Sequence, residues 1–228
     1  MPGSPRDASA PGGLTVRRVE SDDLAAVARV HCDAFPDAAI TRLGLGAVRR
    51  YYAWQCEPVH DAVNLVAQQG GQLVGFCFAG VFRGAMTGFL KRNIVYLLCL
   101  VAGHPRNLVD RRFRTRVRSG VKLLYRHGIK RVRGSAPSRP AAAPERPRSF
   151  GILAIATDPR QAGRGIGRAL MEAAEAEARR RGFARMHLSV DPGNQRAIRF
   201  YEGLGWTRVV GGPEWRGEMA RCIANLGP

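Results

Sequence analysis

The chain has 228 residues and a mass of 24.9 kDa, room for one sizeable domain or two small ones. Hydrophobic residues at 45% and charged residues at 24% exclude wholesale disorder, and five cysteines without a C-x-x-C pair exclude a disulfide scaffold or a zinc ribbon. Lys+Arg 36 against Asp+Glu 18 leaves +18 and a pI near 11.2, which bears on partners and solubility rather than on fold.

Residues 1–13 (MPGSPRDASAPGG) read as a flexible leader without the apolar stretch of a signal peptide. LTVRRVE (14–20) alternates as a strand does. Ser21 then offers a helix N-cap, with Asp22 and Asp23 suited to the first turn. Leu24, Val27, Val30 and Cys32 keep helical spacing until Phe35-Pro36 stops it. A second helix is expected over 38–56, against the propensity of Gly44 and Gly46. Residues 64–69, Gly70-Gly71 and 72–81 form a predicted β-hairpin.

Charge changes abruptly beyond this point. Residues 81–148 hold 17 Lys and Arg against only Asp110 and Glu145, so this stretch carries +15 of the +18. It reads as a cationic, helical insertion in a near-neutral scaffold, ending in the proline-rich loop 134–149. The longest near-continuous apolar run of the chain, 94–103, is about half a membrane span. Together with the reducing cysteine pattern, this predicts a cytoplasmic protein.

FGILAIAT (150–157), apolar on both faces, reads as a buried central strand. A helix follows over 165–181, with Ile166, Leu170, Ala173 and Ala174 on one face and the pairs Glu175/Arg179 and Glu177/Arg181 on another. Gly182 ends it. A second buried strand is expected over 186–190, a short helix over 194–202 and final strands near 206–210 and 218–223. Strand, glycine loop, helix and strand make a βαβ unit, hence a mixed α/β sheet.

TDPRQAGRGIGRAL (157–170) is the most informative stretch. Gly163, Gly165 and Gly167 stand between a strand and a strong helix, where main chain can approach a ligand and free N–H groups favour phosphate. No lysine follows to make a Walker loop, and Arg168 stands where the third glycine of a dinucleotide loop belongs. This stretch resembles the acyl-CoA-binding motif of the GNAT superfamily of N-acyltransferases, R/Q-x-x-G-x-G/A opening a helix. Here the motif falls on Ala162-Gly163-Arg164-Gly165-Ile166-Gly167, with Ala162 replacing the Arg or Gln. MHLSVDPGNQRAIRFYEGLGW (186–206) is similar to the family's next segment, N-x-x-A-x-x-[FY]-Y-x-x-x-G-[FW], and places Asn194, Ala197, Ile198 and Tyr201 on one helix face.

The resemblance implies a single acyltransferase domain over 14–223, interrupted at 81–149, with a mixed, mostly antiparallel sheet flanked by helices. It implies transfer of an acetyl group from acetyl-CoA to a primary amine of a small-molecule acceptor, by direct attack in a ternary complex. By the same resemblance the main chain of Ile155, Ala156 and Thr157 binds the pantetheine arm. Residues 162–168 (Ala162, Gly163, Arg164, Gly165, Ile166, Gly167 and Arg168) then bind the pyrophosphate, Asn194 and Tyr201 complete the cofactor site, and Tyr201 supplies the proton to the leaving thiolate. No metal is implied.

The base is open. Relatives often carry a glutamate on the strand before the glycine loop, but FGILAIAT has no acid, and Gly151 stands where a subgroup reads Glu-Leu-Leu. His31, in the first helix, is the expected catalytic partner of Tyr201; Asp33, Asp37, His187 and Asp191 are further candidates. The missing acid also motivates an alternative, a catalytically silent acyl-CoA-binding module. Arg111, Arg112, Arg114, Arg116, Arg118 and Lys122 around Phe113, Val117, Val121 and Leu124 suggest a cationic amphipathic helix. It suits an anionic membrane surface, an anionic acceptor or a solvated face without a partner. The adjacent apolar run favours lipid or a partner surface over nucleic acid. Monomer and homodimer are equally open.

Overall fold

The structure is a computed structural model that describes residues 13–82, 84–103, 149–212 and 214–223. Three antiparallel strands open it: β1 (Leu14–Arg18), β2 (Asp61–Gln69) and β3 (Gln72–Val81). The expected hairpin is present, with Gln69 opposite Gln72 and Gly70 and Gly71 both at positive φ, as a tight right-twisting turn demands. Between β1 and β2 lie α1 (Leu24–Ala34) and α2 (Leu45–Gln55). Ser21 does not cap α1. It opens a single 3₁₀ turn, Ser21–Asp23, over which the Asp23 carboxylate accepts the Glu20 N–H at 2.8 Å. The helix expected over 38–56 is likewise divided. A 3₁₀ turn covers Thr41–Leu43, the chain reverses at Gly44 (φ +95°), and only then does α2 begin.

After β3 come α3 (Ala85–Arg92) and α4 (Ile94–Gly103), bent 76° to each other. Among the described residues no single helix is long and apolar enough to cross a membrane. The cationic helix expected around residues 111–124 lies outside the described residues, as do the proline-rich loop up to residue 148 and the leader up to residue 12. The second half runs β4 (Phe150–Thr157), α5 (Ile166–Arg180), β5 (Arg185–Ser189), α6 (Gln195–Glu202), β6 (Thr207–Arg208) and β7 (Glu218–Cys222). The sheet order is β1-β2-β3-β4-β5-β7-β6, antiparallel throughout except between β4 and β5. It is the mixed, mostly antiparallel sheet that the resemblance implies.

Two apolar layers sandwich this sheet. Helices α1 and α2 press Val27, Ala28, Val48 and Tyr52 onto Val66, Phe76 and Phe78. On the opposite face Ile166, Leu170, Ala174 and Ala178, spaced by four along α5, meet Leu65, Ala67, Cys77 and Met186. Burying each large side chain contributes roughly 1.5–3 kcal/mol. The exposed side of α5 is tied down by charge. Glu175 pairs with Arg179 at 2.6 Å, and Glu177 meets Arg180, Arg181 and, from β1, Arg18 within 2.6–2.9 Å. Hydrogen bonds from Arg180 and Arg181 hold the Glu177 carboxyl down to about 2.

β5 departs from expectation. Only Met186 and Leu188 are buried, while Arg185, His187 and Ser189 are exposed on the other face. The sequence M-H-L-S alternates, so one face of this strand is polar and open.

Candidate active-site cleft

The site begins with two irregularities of β4. In its pairing with β3, Phe78 opposes Ala154 and Ala79 opposes Ile152, so Leu153 is an extra, bulged residue. On its other edge β4 pairs with β5 only at Phe150–Met186, Gly151–His187 and Ile152–Leu188. Beyond that rung β5 turns away, its chain held to the start of β7 by Val190 N–H donating to Gly217 C=O at 2.8 Å. From Leu153 to Thr157 the β5-facing edge of β4 has no ladder partner among the described residues. The two strands therefore splay around a cleft of about 510 Å3, lined among others by Phe35, Asp37, Ile155, Leu188, Asn194 and Tyr201.

At the end of β4, Asp158 accepts the Arg160 N–H at 2.9 Å and caps a 3₁₀ turn over Pro159–Gln161. The Arg160 guanidinium also reaches Asp33 of α1 at 3.5 Å. Gly163 (φ +81°) and Gly165 (φ +77°) then adopt the left-handed conformation, and a Cβ at either would meet nothing within 4 Å. The loop is thus open to solvent, and only glycine holds this backbone without strain. It delivers the unpaired first-turn N–H groups of α5, those of Ile166, Gly167 and Arg168, beside exposed Arg164. Ala162 is exposed at the head of the loop and brings no cation. A pyrophosphate would be met here by main chain and dipole.

Tyr201, on α6, forms part of the cleft wall. Only 8% exposed, it packs beside Phe200 and Trp206, and its hydroxyl makes no hydrogen bond to another described residue. Burial, with a smaller contribution from Cys77, pushes its pKa up, so the hydroxyl keeps its proton at neutral pH. Asn194 also borders the cleft, and its side chain caps α6 by accepting the Ala197 N–H at 3.0 Å. The structure thus brings Ile155, Asn194 and Tyr201 to one cleft, with the glycine loop following at the end of β4.

It does not bring His31 there. His31 is 7% exposed, beneath Phe35 and against Phe76, with Nδ1 2.8 Å from the Tyr52 hydroxyl. Burial alone pushes its pKa down to about 4. The acidic candidates are occupied: Asp33 by Arg160, Asp37 by Arg42 at 3.3 Å, and Asp191 by the Gly193 N–H at 2.9 Å. His187 stands on the open face of β5, with Nδ1 2.6 Å from Ser149 Oγ. Neither the Ser149–His187 pair nor the bulge at Leu153 is visible in the sequence by periodicity. The M-H-L-S alternation was the signal available for His187. Among the described residues no group of three or more His, Cys, Asp or Glu could hold a metal ion.

A model of the Acetyltransferase (GNAT) family matches residues 122–206. Over 57 residues the chain is 44% identical to a mycothiol acetyltransferase of Thermobispora bispora and to one of Streptosporangium roseum. That stretch is 25% of this chain and only 19% and 17% of those proteins, so the chain spans less than a fifth of their length. The architecture is shared with the ribosomal-protein-S18-alanine N-acetyltransferase of Escherichia coli (TM-score 0.53, 19% identity, 94% of this chain and 96% of that one). It is also shared with YncA of Salmonella typhimurium, solved with its cofactor acetyl-CoA (0.52, 17%, 95% and 97%). A third such structure is PaiA N-acetyltransferase of Thermoplasma acidophilum, solved with coenzyme A (0.53, 12%, 92% and 98%). The family model falls on the bulged strand, the glycine loop and the Tyr201 helix together, so it is this part of the chain, residues 122–206, that is similar to the GNAT acetyltransferase family.

Proposed function

We propose that this chain transfers an acetyl group from acetyl-CoA to the primary amine of a small-molecule acceptor, by direct attack in a ternary complex, within one domain over 14–223. The observation that carries this reading is the continuity of an unpaired β4 edge with a glycine loop at a helix N-terminus. Together they form a track of free main-chain donors and acceptors ending beside Tyr201. Acetyl-CoA supplies an activated thioester. The first turn of α5 with Gly163, Arg164 and Gly165 holds its pyrophosphate, and the main chain of Ile155, Ala156 and Thr157 holds the pantetheine arm and polarises the carbonyl. Tyr201 gives its hydroxyl proton to the departing thiolate sulfur. The stretch shared with mycothiol acetyltransferases supports a small-molecule acceptor, and the charge of residues 81–148 favours an anionic one.

Calorimetry with acetyl-CoA, followed by thiol-release assays over plain and phosphorylated amines, tests this. Binding with turnover is expected. Binding without turnover on any amine would leave a silent acyl-CoA-binding module, and absence of binding would remove both readings.

A further inference from the structure

We propose that His187, oriented by Ser149, accepts the proton of the incoming amine from the face of the sheet opposite Tyr201. This rests on the acyl-transfer reading above. Met186 and Leu188 sit in the same apolar layer as Tyr201, so the alternation of β5 sends His187 to the other face. There its ring lies across Gly151 of the neighbouring strand. A Cβ on residue 151 would stand 2.9 Å from both Cε1 and Nε2, so β4 keeps this ring in place by having no side chain beneath it. Ser149 Oγ engages Nδ1, and Nε2 makes no hydrogen bond to a described residue. The next rung, Ile152–Leu188, is the last before the strands part, and both residues line the cleft. Nε2 therefore sits about one residue, ~3.3 Å along the strand, from the point where the β4 edge opens.

Electrostatics suits the task. Arg185 on the same strand lowers the His187 pKa, Glu218 on β7 raises it, and β4 contributes no titratable side chain. Burial of the ring against the sheet is the largest influence and brings the pKa below 6.5, so the imidazole is neutral at pH 7. Of the other candidates, His31 is buried, Asp33 and Asp37 each face an arginine, and Asp191 accepts a main-chain N–H.

The proton balance is as follows. The acceptor arrives as an ammonium ion and gives one proton to Nε2, directly or through a water. Its lone pair then forms the N–C bond as the C–S bond breaks. Tyr201 protonates the thiolate, the second nitrogen proton restores Tyr201, and His187 releases its proton to solvent.

The test is the pH dependence of kcat/KM for wild type, His187→Gln and Ser149→Ala, with acetyl-CoA affinity measured alongside. Wild type should show an acid limb governed by a group below 6.5, matching the imidazole titration of His187 followed by NMR. His187→Gln should lose that limb and about 10²-fold in kcat/KM at pH 7, recover towards high pH where the amine deprotonates unaided, and keep its acetyl-CoA affinity. Ser149→Ala should displace the limb without abolishing it. Combining His187→Ala with Gly151→Glu places a carboxylate in the vacated space, and should restore part of the rate with a limb in the carboxylate range. A His187→Gln enzyme with wild-type rate and limb would overturn the proposal while leaving acyl transfer intact. Wild-type protein without turnover would overturn acyl transfer itself.

Discussion

The two walls of the cleft are built from different materials. On the side of β4 and α5 the ligand-facing groups are main-chain amides and carbonyls, exposed because a strand lost its neighbour and two glycines adopt positive φ. On the side of α1 and β5 they are side chains, Phe35, Asp37 and Leu188, with His187 and Ser149 outside the lining one rung away. A wall made of main chain tolerates side-chain change, which is why Ala162 in place of an arginine or glutamine leaves the loop geometry whole. A wall made of side chains encodes one chemistry and gives it up with a single substitution.

Tyr201 stands where the walls meet, so removing only its hydroxyl is the severest test. Tyr201→Phe should lower kcat by roughly 10²-fold while acetyl-CoA affinity stays nearly intact. Normal turnover would reduce Tyr201 to packing and make the main-chain wall sufficient alone.

Behind the side-chain wall, His31 should show itself in stability. Its folded pKa of about 4 lies below the unfolded 6.5, so the folded state resists its protonation. Stability is then complete above pH 6.5 and falls as the pH drops towards 4, by about 2 kcal/mol for this residue once its partial solvent access is allowed for. Denaturant titrations at pH 7 and 4.5 should show this loss in wild type and not in His31→Gln. Equal losses in both would mean that His31 is not held neutral by the core.

Gly165→Val attacks the main-chain wall through its conformation, since φ +77° disfavours a β-branched residue although the space is open. Acetyl-CoA affinity should fall at least tenfold, which corresponds to about 1.4 kcal/mol, and calorimetry reads it directly. Unchanged affinity in a folded variant would put the phosphates elsewhere.

The smallest effect is expected at Asn194, whose cap holds the Tyr201 helix. Asn194→Ala should cost about 1 kcal/mol of stability and only slightly weaken acetyl-CoA. A large loss of affinity with unchanged melting temperature would instead make Asn194 a direct ligand contact.

The same contrast explains what could be read from sequence. The main-chain wall was legible because its geometry forces residue type: Gly163 and Gly165 before an amphipathic α5, an apolar β4, Asn194 and Tyr201 at helical spacing. A mixed α/β sheet followed from these elements, whereas its strand order came from the structure alone. The side-chain wall was not legible, because it depends on register. His31 and His187 are both single histidines on amphipathic elements, and only the packing of Phe35, Tyr52 and Phe76 around one, and the bare Gly151 under the other, separates them. The interruption at Gly44 also escaped periodicity, since Leu43, Ala47, Tyr51 and Trp54 keep helical spacing across it.

The neighbouring strands β3 and β4 are joined by residues 82–149. The connection leaves and re-enters the sheet at one end of β3 and β4, and β4 is also one of the two strands that frame the cleft. Within this connection α3 and α4 are packed into the core through Phe89 and Leu97, which are 2% and 7% exposed. Substitution in α3 and α4 is therefore felt by the α1–α2 layer of the sheet, just as substitution in β4, the glycine loop and α6 is felt by the cleft.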